Sequence, residues 1–138
     1  MKLSIIIPVY NEEKTLLKLL ALVKKSKLNC VEKEIIIIDD GSIDKTRAIL
    51  KKIKDKKIKT ILHEKNKGKG AAIRTGLKHA TGDIILIQDA DLKYDPNDYS
   101  SLIKPIIEKK TDVVYGSRTL NKKNTYSHAH FYLGGRLV

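Results

Sequence analysis

Four consecutive isoleucines, Ile35–Ile38, stand between Glu34 and Asp39. Strand side chains alternate between two faces, so a strand apolar at every position needs cover on both sides. Leu3–Val9 has the same character, and Gly82–Ile87 reads as a short β-branched strand introduced by glycine. Between such runs the period changes from two to that of a helix. Leu16, Leu19, Leu20 and Val23 recur at helical spacing with lysines between them; Asn11 is expected to cap this helix, with Glu12 and Glu13 in its first turn. Ser42 or Asp44 is expected to cap a helix buried through Ile49, Leu50 and Ile53, before a more exposed strand over Ile58–His63. Gly70–Ala80 reads as a helix with Ile73, Leu77 and Ala80 on one face. Asp95-Pro96 opens a last helix whose buried side is Leu102, Ile103, Ile106 and Ile107, bent at Pro105. Asp112–Tyr115 reads as a fifth strand. Five alternations of strand and helix predict an α/β domain, with a mostly parallel, Rossmann-like sheet flanked by helices.

At 138 residues and 41% hydrophobic content, the chain suits one folded domain. No apolar run approaches the ~18–20 residues of a membrane span, and no secretory leader is legible at the N-terminus. The single Cys30 cannot form an internal disulfide, which fits a reducing, cytoplasmic setting. The net charge is +12, and residues 45–70 carry eleven Lys or Arg against Asp55 and Glu64. That field suits acidic partners: nucleotides, nucleic acid or the cytoplasmic face of an anionic membrane. Yet 24 of the 28 basic residues are Lys and 19 residues are Ile, a bias that drift in base composition also produces. Aromatics do not interleave with the charge, which disfavours a nucleic-acid platform.

Open parallel sheets bind ligands at the carboxyl ends of their strands. Four polar clusters fall there: Tyr10-Asn11-Glu12, Asp39-Asp40-Gly41-Ser42, Asp89-Ala90-Asp91 and Gly116-Ser117-Arg118. Asp89 and Asp91, two apart at a strand end, can aim both carboxylates into one space and hold Mg²⁺ or Mn²⁺, or can simply close an Asx turn. Asp39 and Asp40 can accept hydrogen bonds from a base or ribose, or build a turn around Gly41. Asn66–Ala72, with Gly68 and Gly70, is a glycine-rich entry to a helix whose amides can approach a phosphate or sugar. It matches neither the P-loop nor the dinucleotide fingerprint. Arg118 can pair with a phosphate. No nucleophile–base arrangement is legible; His63, His79, His128 and His130 lack ligand spacing and are expected at the surface. Carboxylates without an activated nucleophile suit transfer from a nucleoside diphosphate.

Ile6-Ile7-Pro8-Val9-Tyr10-Asn11-Glu12, Ile38-Asp39-Asp40-Gly41-Ser42, the Asn66–Ala71 turn, Asp89-Ala90-Asp91 and Gly116-Ser117-Arg118 occur in that order. Together they resemble family 2 glycosyltransferases of GT-A fold, in the branch of polyprenyl-phosphate sugar transferases such as dolichol-phosphate mannosyltransferase. The resemblance implies that Pro8, Tyr10 and Glu12 hold the base and ribose, with Asp40 and Asp39 also facing the nucleoside. It implies Asp89 and Asp91 as the metal-binding pair, Asp91 the more direct ligand, and Arg118 near the phosphates, with Arg136 as a looser second contact. Lys93 stands where related enzymes carry a glutamine that can join the metal shell. The implied reaction is metal-dependent, inverting transfer from a nucleotide sugar to a polyprenyl phosphate, in cell-envelope or glycan biosynthesis. Residues 1–118 would form the nucleotide-sugar core and 119–138 the start of an acceptor side cut off within an element. A binding module without turnover and a basic nucleic-acid binder are the alternatives.

Overall fold

The computed structural model describes residues 1–28 and 30–117. Residues 1–103 form one compact unit, and the described residues from 104 to 117 belong to a second. In chain order the elements are β1 Lys2–Val9, α1 Leu16–Lys25, β2 Glu32–Asp39, α2 Thr46–Lys51, β3 Ile58–Leu62, α3 Lys69–His79 and β4 Ile84–Ile87. A short 3₁₀ turn, Pro96–Asp98, then leads into α4, Tyr99–Ile107. The sheet order is β3-β2-β1-β4, and every pairing is parallel. Val9 is level with Asp39, and Asp39 with Leu62, so the loops after β1, β2 and β3 emerge along one edge.

The isoleucine runs behave as their pattern requires. Ile6, Ile36 and Ile38 pack with Ala72 of α3 in one buried cluster. Ile5, Ile7, Ile35 and Ile37 point to the opposite face and are buried too. Each contributes about 1.5–3 kcal/mol of transfer free energy. Leu16, Leu19, Leu20 and Val23 form the buried stripe of α1. Helix α3 buries Ala72 and Gly76; of the face expected, Ala80 packs against the core cluster while Leu77 is exposed. The reason is distance. A Cβ on Gly76 would stand 2.5 Å from Ile6 Cγ2 and 2.8 Å from Ile38 Cδ1, so the helix lies too close to the sheet for larger residues.

Other departures have local causes. Helix α1 starts at Leu16, and Asn11 does not cap it: Asn11 has φ +55°, and its Oδ1 accepts from Ile43 N–H at 2.9 Å. Helix α2 ends at Lys51, leaving Ile53 outside it, and Asp44 Oδ1 accepts from Thr46 N–H at its start. Strand β4 is not covered on both faces, since Ile85 and Ile87 are exposed and β1 is its only partner among the described residues. Asp95 does cap the next turn, accepting from Asn97 N–H before Pro96. Tyr99 and Ile103 are the buried residues of α4, whereas Ile107 is exposed.

Within the second unit, Glu108 pairs with Lys110 at 2.6 Å, and residues 112–117 adopt no strand. The fifth strand expected at Asp112–Tyr115 is therefore absent among the described residues. A strand exists through a hydrogen-bonded ladder, and Val113-Val114 alone supplies only a local preference. Val113 and Tyr115 are exposed. No helix among the described residues is long and apolar enough to cross a membrane.

Candidate functional site

The loop after β1 is fastened to the loop after β2 by backbone–side-chain hydrogen bonds in both directions. Asn11 N–H donates to Ser42 Oγ, Glu12 N–H to Thr46 Oγ1 and Glu13 N–H to Asp44 Oδ2, at 2.9–3.2 Å. In return, Glu13 Oε2 accepts from Lys45 N–H at 2.9 Å. These bonds hold Asn11 in its left-handed conformation and fix Tyr10 and Glu12 over the sheet edge. A second brace lies between β2 and the turn before α3. Gly41 has φ +79°, and a Cβ there would fall 2.4 Å from Asn66 N, so only glycine lets the two backbones touch.

A cavity of about 300 Å³ opens between these loops. Its lining includes Pro8, Tyr10, Glu12, Asp40, Asp89 and Asp91, six of the residues picked out by sequence, together with Asn66, Lys69 and Ala72. Asp39 does not line it: it is fully buried, with Oδ2 accepting from Arg47 Nε at 2.6 Å. Its Oδ1 has no hydrogen-bond partner among the described residues. Gly68 and Gly70 flank the start of α3 without lining the cavity. Arg118, Arg136, His128 and His130 lie outside the described residues.

Asp89 and Asp91 reach the cavity from a turn beyond β4, so turn geometry and not strand alternation makes them converge. Gln88, fully buried, sets that turn. Its Nε2 donates to Asp89 O at 2.9 Å, and its Oε1 accepts from Tyr99 O–H at 2.7 Å. Burial, reinforced by the charge of Asp95, pushes the Tyr99 hydroxyl well above its ordinary pKa, so it stays a donor. Asp91 serves both readings of the motif. Its Oδ1 closes an Asx turn onto Lys93 N–H at 3.1 Å, while its carboxylate faces the cavity. Burial works to raise the Asp91 pKa, but Lys93, by side-chain and backbone contacts, holds the carboxyl below the usual range.

Each carboxylate of the pair meets an ammonium: Lys69 on Asp89 at 2.6 Å and Lys93 on Asp91 at 2.9 Å. Both lysines are more than half exposed, 59% and 54%, and such pairs are worth about 0–1 kcal/mol, so a stronger cation can displace them. Among the described residues no group of three His, Cys, Asp or Glu converges on one point. The donor set present, two ionised hard oxygens, fits a divalent cation that takes its remaining ligands from water or a phosphate.

The sequence reading missed His63. It is buried, not at the surface, with Nδ1 2.7 Å from Asp40 Oδ1 and Nε2 2.9 Å from Thr75 Oγ1. Asp40 also accepts from Lys67 N–H at 3.0 Å and Gly68 N–H at 2.8 Å. The amides of the glycine-rich turn thus serve Asp40. Burial works to raise the Asp40 pKa, but the His63 hydrogen bond and these two amides outweigh it and hold the carboxyl below its usual range. No sequence spacing marks His63; the only hint was its place as the last residue of the third expected strand, at the edge where the polar clusters fall.

The family profile described as Glycosyl transferase family 2 matches residues 4–134. An undecaprenyl-phosphate 4-deoxy-4-formamido-L-arabinose transferase from Proteus mirabilis is 36% identical over 129 residues, spanning 91% of this chain and 39% of that protein. A dolichol-phosphate mannosyltransferase from Pyrococcus furiosus is 36% identical over 119 residues, spanning 86% of this chain and 33% of that one. Among solved structures, Staphylococcus aureus TarS 1-349 in complex with UDP superposes with a TM-score of 0.69 at 32% identity, over 81% of this chain and 34% of that one. Mycobacterium tuberculosis glucosyl-3-phosphoglycerate synthase with Mn²⁺, UDP and phosphoglyceric acid gives 0.60 at 27% identity, over 76% and 38%. The chain therefore spans about a third to two fifths of the length of these relatives.

Proposed function

Because the chain belongs to glycosyl transferase family 2 and carries a GT-A sheet, we propose that its cavity takes a nucleoside diphosphate sugar and that the whole protein passes the sugar to a polyprenyl phosphate. One observation carries the donor half: the cavity gathers Tyr10, Glu12, Asp40, Asp89 and Asp91 from three separate strand ends. The UDP complexes of TarS and of glucosyl-3-phosphoglycerate synthase support a nucleotide there. The names of the Proteus and Pyrococcus relatives support the lipid-phosphate acceptor, and with it a peripheral place on the cytoplasmic face of a membrane.

In this reading Pro8, Tyr10 and Glu12 wall the base and ribose, and Asp40 accepts from the nucleoside. Asp39, behind it, anchors Arg47; Gly68 and Gly70 set the start of α3 beside the donor. Asp89 and Asp91 would hold Mg²⁺ or Mn²⁺, which when bound supplies neutralisation of the leaving diphosphate. Lys69, already beside Asp89, adds positive charge on the same wall. Asp91 stays ionised through Lys93, and Gln88 with Tyr99 keeps the turn rigid. Arg118 would meet the phosphates, with residues 1–118 as the donor core and 119–138 opening the acceptor side. No side chain need act as a base. A phosphate monoester is already ionised at neutral pH, and its direct attack on the anomeric carbon inverts that centre.

Thermal unfolding against UDP, GDP and CDP, with and without Mn²⁺, tests the donor site. A ligand at 100 times its dissociation constant adds about 2.7 kcal/mol. A Mn²⁺-dependent rise in Tm with one nucleotide supports the reading and names the base. A folded chain that shifts with none of them overturns it.

A further inference from the structure

We propose that His63 is a positioning residue of the nucleotide site, fixing the Asp40 carboxylate from outside the cavity while Thr75 fixes the imidazole. The proposal rests on the donor-binding reading above. His63 itself does not line the cavity; Asp40 does. The backbone of His63 is clamped on both sides, its N–H donating to Asp39 O at 2.8 Å and its carbonyl accepting from the Arg47 guanidinium. The ring lies between Asp40, just past β2, and Thr75 of α3.

Hydrogen placement follows from the partners. An ionised carboxylate only accepts, so Nδ1 carries the proton it shares with Asp40. The other nitrogen faces a hydroxyl, which can donate to a neutral ring or accept from a charged one. Both protonation states of His63 thus keep both contacts, and Asp40 is held across the physiological range. The charged groups around the pair are few. Arg47 of α2 and Asp39 of β2 meet on the far side, and Glu12, Lys69, Asp89 and Asp91 share the cavity with Asp40. His63 holds Asp40 by its side chain, whereas Lys67 and Gly68 do so by backbone amides, and His63 does not line the cavity.

Two isosteres separate the two contacts. The amide nitrogen of asparagine is bonded to Cγ, as Nδ1 is, so His63→Asn keeps a donor toward Asp40 and gives up Thr75. His63→Gln reaches toward Thr75 and gives up Asp40. Titration calorimetry with UDP and GDP plus Mn²⁺, from pH 3 to 8, is run on the whole chain and both variants, with Tm recorded for each. We expect His63→Gln to weaken nucleotide binding about tenfold, the scale of one charge-assisted hydrogen bond. Its acid limb moves to higher pH, because Asp40 loses the partner that helps keep it ionised. His63→Asn stays within about threefold, with the acid limb of the parent. Equal losses in both variants, tracking Tm, would make His63 a packing residue and overturn the proposal. A parent chain that binds neither nucleotide sinks the donor reading instead. The carbonyl ¹³C shift of the Asp40 side chain, titrated in the three proteins, then decides on its own: an Asp40 titration unmoved by His63→Gln refutes the positioning role.

Discussion

Gly76→Ala tests the link between sheet packing and site geometry. In a helix the change alone favours folding by about 1 kcal/mol. Here the new methyl would stand 2.5 Å from Ile6 Cγ2, 2.8 Å from Ile38 Cδ1 and 3.3 Å from Ile6 Cδ1. Carbon pairs prefer ~3.5–4.0 Å, so α3 must lift by about 1 Å or two buried isoleucines must leave their rotamers. Overpacking of this kind costs about 1–3 kcal/mol. Against the helix gain, the net is a loss of up to about 2 kcal/mol, or a Tm lower by up to about 10 °C for a domain of this size. Lifting α3 also displaces its first residues, and Lys69 and Ala72 line the cavity. Nucleotide affinity, measured well below Tm, is therefore expected to fall together with stability. Ile38→Val removes one of the clashing atoms, so in the Gly76→Ala background it should cost at least about 0.5 kcal/mol less than alone. A Tm that holds or rises, with additive double-mutant energies and full affinity, would refute the close-packing argument.

Asp91→Asn should abolish the Mn²⁺-dependent part of nucleotide stabilisation; an undiminished metal effect by thermal shift would remove Asp91 from the metal-holding role. Gly41→Ala should cost several kcal/mol because backbone atoms at 2.4 and 2.5 Å cannot give way, whereas Gly70→Ala, with nothing nearer than Arg74 Nη1 at 3.7 Å, should fall within about 1 kcal/mol of neutral by urea denaturation. Glu34 should govern acid stability. Burial works to raise its pKa, but Lys2, Ser4 and Thr81 bring it down from 4.5 to about 2. A depressed carboxylate pKa gives stability that is complete above pH 4.5 and lost as pH falls toward 2, at most about 3 kcal/mol. Glu34→Gln should flatten that window in urea titrations at pH 2–5; an unchanged acid slope would show that other carboxylates set it.

The β1–β2 centre of the sheet was legible because Leu3–Val9 and Ile35–Ile38 suit strands covered on both faces, and six cavity residues because parallel strands send their loops to one edge. What the sequence hid depends on distance between elements. Helical spacing favours Leu77 over Gly76 as a core residue; only the closeness of α3 to Ile6 and Ile38 reverses that choice. Asn11 looks like a cap until Ile43 N–H and Ser42 Oγ are placed beside it. His63 carries no periodic signal, and its partners Asp40 and Thr75 lie 23 and 12 residues away. Asp39 and Asp40 cannot be told apart in the chain, yet strand alternation turns one toward Arg47 and the other toward the cavity.

The two ends of the sheet carry the same kinds of residue, and residue type alone does not say which is the site. At the amino end Glu34 is bonded to Lys2, Ser4 and Thr81, whose N–H and O–H lie at 2.7 and 2.9 Å. Both of its oxygens are taken by groups fixed in the fold, and bringing a ligand there would break several bonds at once. At the carboxyl end Asp89 and Asp91 meet lysines more than half exposed, held by contacts worth about 0–1 kcal/mol each. Asp40 lies between these extremes, its carboxylate fixed by His63 and two amides yet still on the cavity wall. Function is expected where a charge is held in place but its field is not consumed. A carboxylate with a rigid frame and a displaceable partner can exchange an ammonium for a metal–phosphate group at little cost, and only the carboxyl edge of this sheet offers that exchange.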